Sequence, residues 1–122
     1  MAVDFLHDAE RYYSDQAVVP QGGVAVGGIF KVADTWLLAY MTGAAAAVVE
    51  GIYIADNVDI PKSTGSGQSI AAFDALWLNT TTKVVSATKG QGDVLVGIAK
   101  RAASTSDTTV RGNWNGYLFN QV

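Results

Sequence analysis

Glycine punctuates this chain and proline almost never does: there are thirteen Gly against two Pro, Pro20 and Pro61. The glycines recur from Gly22 to Gly116, and short apolar runs lie between them. Turn signals at this spacing leave little room for long helices and favour many short strands. Ile29 to Ala33 reads as a strand beyond the Gly27-Gly28 turn. The run 35–41 is rich in strand formers, but its unbroken apolarity does not fix its type. A four-alanine stretch, 44–47, is too short to nucleate a helix alone, so 46–54 reads as a strand. Ser63 to Ser69 reads as a polar loop. Residues 75–79 and 83–88, flanking Thr80-Thr81-Thr82, read as a hairpin. Val94 to Ala99 reads as a buried strand, 104–109 as a polar turn, and Val110 to Phe119 as the closing element. The expectation is a mainly β chain.

Only the first segment breaks the rhythm. Residues 1–19 contain no Gly, and mix Asp4, Asp8, Glu10, Arg11 and Asp15 with Phe5, Leu6, Tyr12 and Tyr13. A short amphipathic helix over 4–13 fits this pattern, and so does an extended arm or edge strand carrying aromatic anchors. The arm or edge strand is preferred. The domain organisation expected is an N-terminal arm over 1–20 and one β domain over 21–122, because 122 residues suit a single core.

Composition removes most chemistry. Hydrophobic residues make up 49% and charged residues only 16%, against about 25% charged in an ordinary soluble domain. That excludes disorder as the main state. A net charge of −3 has the wrong sign for gripping a polyanion, so no direct nucleic-acid partner is expected. With no cysteine and one histidine, His7, there is no disulfide, thiolate zinc site, cysteine nucleophile or two-histidine metal site. No apolar run reaches the roughly 20 residues of a membrane helix. No secretory leader is read at the N-terminus, and synthesis in the cytoplasm is expected.

The remaining motifs are weak. Gly65-Ser66-Gly67-Gln68-Ser69 has Gln68 where a phosphate loop needs lysine, so it reads as a turn. Asp56 and Asp59 beside Asn57 could touch a calcium ion, but without the spacing of a calcium loop they read as a solvated acidic loop. Glu50 reads as an edge-strand charge that discourages aggregation. The Ser66 context lacks a nucleophile elbow and His7 lies in the least structured segment, so no catalytic residue and no cofactor are expected. Trp77, between Leu76 and Leu78, reads as core. Trp114, between Asn113 and Asn115, reads as a rim residue or a sugar platform. Interfaces enrich tryptophan, so Trp36 and Trp114 are candidates for a subunit interface, with core filling the alternative.

Several segments, in order, resemble a known family: Gly27 to Ala33, Glu50-Gly51-Ile52-Tyr53, Pro61-Lys62, Leu76 to Asn79, Gly92 to Ala99, and Val110 to Gly116. Together they resemble the small capsid decoration (cement) proteins of tailed bacteriophages over about four-fifths of the chain. Residues 54–59 look like an insertion, and the first twenty residues match poorly. The resemblance implies a compact β-barrel or β-tulip, assembled as trimers at local threefold positions on the outside of a capsid. It implies no chemistry, only the bridging of major-capsid subunits against the pressure of packaged DNA. The aromatic arm suits strand addition, which makes Phe5, Leu6, Tyr12 and Tyr13 the candidate capsid-binding residues. Two rival readings are a tail or fibre attachment module and a carbohydrate-binding β domain built on Trp114.

Overall fold

The computed structural model describes residue 9 and residues 11–117. The described residues form eight strands and no helix: β1 (Tyr12–Val18), β2 (Ile29–Val32), β3 (Thr35–Ala39), β4 (Val48–Pro61), β5 (Ala75–Asn79), β6 (Val84–Ser86), β7 (Val94–Ala99) and β8 (Thr109–Asn115). They make one antiparallel, nearly closed barrel-shaped sheet in the order β2-β3-β4-β8-β7-β5-β6, with β1 on β4. The mainly β, barrel-type expectation is met.

β4 organises everything else. β1 pairs along one of its edges, from Val18↔Val48 to Tyr12↔Ala55. β3 (Leu38↔Ile52) and β8 (Ile54↔Asn115 to Pro61↔Thr109) follow one another along the opposite edge. Gly116 fills the junction, donating its N–H to Tyr53 O at 3.0 Å and accepting from Trp36 N at 2.7 Å. A Cβ here would overlap the Trp36 carbonyl, so only glycine lets the two strands meet end to end. At the far end of β4, a parallel bridge Lys62↔Val85 brings β6 against the end of the strand and nearly closes the barrel.

The length of β4 departs from the sequence reading. Residues 54–59, expected as an acidic loop and an insertion, continue the strand through a bulge between Ala55 and Val58. Asn57 takes the left-handed conformation there (φ 61°), which asparagine tolerates better than most residues. Asp56 and Asp59 serve two different arginines: Arg11 Nε lies 2.7 Å from Asp56 Oδ2 and Arg111 Nε 2.8 Å from Asp59 Oδ1.

Two apolar clusters explain the run at 35–41. Trp36 and Leu38 point into the barrel with Ile29, Ile52, Leu76, Leu78, Val96 and Trp114. Leu37 and Ala39 face the other way, into a smaller cluster with Ala17, Val19, Phe30 and Val49. A strand covered on both faces has no polar side to alternate with, hence the continuous apolar sequence. Each fully buried Leu, Ile or Phe contributes about 1.5–3 kcal/mol.

The 1–20 arm enters the described structure as an edge strand from Tyr12 onward, paired along its whole length with β4. Phe5, Leu6 and His7 lie outside the described residues. The hairpin is present as β5 and β6, the polar turn closes with Asp107 N donating to Ser104 O at 3.2 Å, and 94–99 forms β7. β7 is not the fully buried strand expected: Val96 and Ala99 face the core while Ile98 is half exposed on the outer side. Asn79 Oδ1 accepts from both Thr81 N (2.9 Å) and Thr82 N (3.0 Å), which sets the hairpin turn.

Candidate functional site

The pleat decides which aromatics are available. On β8, Val110, Gly112 and Trp114 are buried in alternation, as is Gly116 just beyond it, while Asn113 and Asn115 turn outward. Trp114 is 1% exposed inside the barrel. The sugar-platform reading of Trp114 therefore fails: its flanking asparagines advertise the outer face, not its own. Trp36 is likewise buried within the single chain. Both side chains fill the core, so neither ring is offered to a second subunit. Trp77 is the reverse. Leu76 and Leu78 take the inward positions, leaving Trp77 half-buried on the outside, with Lys89 Nζ 5.2 Å from its ring centroid.

The tyrosines form the surface feature. All five of the chain, Tyr12, Tyr13, Tyr40, Tyr53 and Tyr117, gather around β1 and β4. Tyr13 stacks on Tyr53 at 6.4 Å, Tyr53 meets Tyr117 at 5.0 Å, and Tyr12 meets Tyr40 at 6.3 Å. Tyr12 and Tyr13 pair with consecutive residues, Ala55 and Ile54, and point to opposite sides of the strand, so they reach separate partners. Both Tyr12 and Tyr13 remain about half exposed.

Arg11 borders the cluster, with its guanidinium 6.0 Å from the Tyr13 ring centroid. Its hydrogen bond to Asp56, together with the charge of that carboxylate, raises the guanidinium pKa further. Burial raises the phenol pKa of Tyr12, with Tyr40 and Glu50 adding to it. Burial and Tyr53 raise that of Tyr117. These phenols stay neutral at ordinary pH and present amphipathic rings.

Beyond Arg11 and Asp56 the same face continues as a groove of about 320 Å³ over β4, β8 and β7, floored by Ile54, Leu95 and half-exposed Ile98 and edged by Asn113 and Asn115. Apolar floor, aromatic flank, one ion pair and amides make the mixture found in protein–protein contacts. Glu50, exposed on β4, accepts a hydrogen bond from Ser14 Oγ across the pair. Among the described residues, no three His, Cys, Asp or Glu stand together as a metal set.

The sequence reading missed one buried cation. Lys62 is 3% exposed, and its ammonium donates to Ser63 O (2.7 Å), Ser104 O (3.0 Å) and Asp107 O (3.1 Å). It ties the end of β4 to the 104–107 turn. Its only signal was its place in the Pro61-Lys62 pair. Tyr40, Tyr53 and Tyr117 were missed because strand pairing, not sequence proximity, assembles the cluster.

No curated protein and no solved structure matches the chain. A family model described as phage cement protein matches residues 11–113, from the residue before β1 into β8. With that much of the chain and seven complete strands inside the match, the chain belongs to the phage cement protein family.

Proposed function

We propose that the chain decorates the outer surface of a phage head, where it bridges neighbouring major-capsid subunits and holds them against internal DNA pressure. It acts as trimers at local threefold positions and performs no catalysis. It is made in the host cytoplasm and reaches the virion by binding assembled capsid. Family membership supports the capsid role. The observation that carries the contact is the half-exposed pair Tyr12 and Tyr13 on β1, a strand paired with β4 alone among the described residues.

A strand with one open edge can receive a partner strand through its backbone, while alternate side chains set the register. Aromatic rings add contact area at low entropy cost. Phe5 and Leu6, which lie outside the described residues, are assigned to the same capsid contact. Many such modest contacts, repeated over a lattice, hold strongly because each bound subunit keeps its neighbours in place.

Co-sedimentation with expanded capsids tests this. Removal of residues 2–10 and the double substitution Y12S/Y13S should each leave a folded barrel and abolish or sharply weaken capsid binding. Undiminished co-sedimentation of both variants would reject the assignment of these residues. A copy number of a handful per particle, rather than hundreds, would favour a tail or fibre module instead.

A further inference from the structure

Two stretches of the chain carry no charge at all: none lies between Asp15 and Lys31, and none between Asp34 and Glu50. They are separate in sequence, yet the fold weaves them into one cap. Val24 and Gly43 exchange both backbone hydrogen bonds at 2.9 Å. Val19 N donates to Ala47 O and Ala46 N to Val19 O, both at 2.8 Å. Val26 N donates to Thr42 Oγ1 at 3.0 Å. The two loops therefore satisfy much of each other's backbone and stand as a fixed surface.

That surface is apolar and open. Val18 and Val48, cross-strand partners at the ends of β1 and β4, are 56% and 59% exposed. Met41 in the second stretch is half exposed, and Ala25, Ala44, Ala45 and Ala46 are exposed. The face thus couples exposed apolar side chains to a complete lack of charge, in a chain that spreads charges over its other surfaces.

Charge decides what such a face fits. A contact with a different protein can use opposite charges, and the tyrosine face offers Arg11 and Asp56 for that purpose. Around a rotation axis the innermost residues meet their own copies. Any charge there faces an identical charge, and like charges placed together cost several kcal/mol. An axis contact must therefore be free of charge, and short side chains let the backbones approach closely. We propose that this cap is the surface through which copies of the chain meet around a symmetry axis. The proposal deepens the decoration reading and rests on it for the particle experiment alone.

The natural chain has no cysteine, so single cysteines report proximity cleanly. A45C and V48C would be compared with S106C, placed in the exposed turn at the opposite end of β4, using a short bismaleimide on capsids carrying the bound protein. Copy-to-copy cross-links from A45C and V48C, with none from S106C, are expected. Cross-links from the cap to the capsid protein, or no cross-link at all on decorated particles, would overturn the proposal. If no variant binds capsids, the decoration reading fails; the same reaction on the concentrated free protein then reads the cap alone, with linked copies supporting it and unlinked chains overturning it. V48K, at an exposed position, should weaken self-association of the folded protein at least tenfold in sedimentation; unchanged association would also overturn the proposal.

Discussion

Replacing Lys62 by methionine keeps most of the buried stem and removes the ammonium. In the native fold that group makes three hydrogen bonds to carbonyls, at 2.7, 3.0 and 3.1 Å. A hydrogen bond to a charged group contributes about 1.5–3 kcal/mol, but three bonds to one nitrogen do not add. Burying the ammonium itself costs several kcal/mol, which its removal returns. Ser104 and Asp107 belong to an exposed turn, so water can reach their carbonyls in the variant. The balance is a loss of about 2–4 kcal/mol, a large part of the roughly 5–15 kcal/mol that holds a domain together. With a urea slope of about 1–3 kcal/mol per molar, the unfolding midpoint should fall by about 0.7–4 M. Tryptophan fluorescence during urea unfolding measures it, and amide exchange across 104–107 should quicken selectively. K62R should also lose stability, because a planar guanidinium cannot aim at three converging carbonyls as an ammonium does. A midpoint for K62M within about 0.3 M of the native protein would refute the view that this cation fastens the barrel.

Three further outcomes follow from the geometry. G116A forces a Cβ onto the Trp36 carbonyl, so the β3–β8 junction must open; thermal unfolding should show a loss of about 3 kcal/mol or more, and an unchanged melting temperature would contradict the junction. Trp114 Nε1 is buried without a hydrogen-bond partner, and such a donor costs about 1–3 kcal/mol; W114F removes that penalty while leaving a small void, so its net change should stay within about 1 kcal/mol by urea unfolding. Tyr12 and Tyr117 have phenol pKa values raised above the ordinary 10.0, chiefly by burial. The folded state therefore holds these protons after the unfolded state has released them. Stability is fully present below pH about 10 and declines as pH rises through the folded values; an ultraviolet titration of phenolate that showed both groups ionising below the free-tyrosine value would reverse the sign.

Local patterning was legible where one principle dominated. The β5–β6 hairpin follows from Asn79 and its threonines, and β7 from the apolar, β-branched run that follows the Gly90–Gly92 turn. The reading failed where two signals competed. Asp56, Asn57 and Asp59 looked like a loop because their polarity outweighed the strand pattern on either side; pairing with Arg11 and Arg111 neutralises that polarity inside β4. Trp77 reads as core, and Trp114 as rim with core as the alternative, because the character of their neighbours is extended to them, although adjacent strand residues point in opposite directions. The candidate tyrosines Tyr12 and Tyr13 were visible as an adjacent pair. Their ring partners, Tyr40 just after β3 and Tyr53 on β4, were not, nor was Tyr117 against Tyr53, since register across a sheet is a property of the whole fold.

One backbone, that of β4, runs uninterrupted from the apolar cap through the tyrosine face to the lysine clasp. No flexible joint separates the end that faces outward from the barrel from the end that seals it. A tug on either extremity is borne as shear, spread over a long ladder of hydrogen bonds instead of peeling them singly. A molecule wired in this way suits the bridging role proposed above.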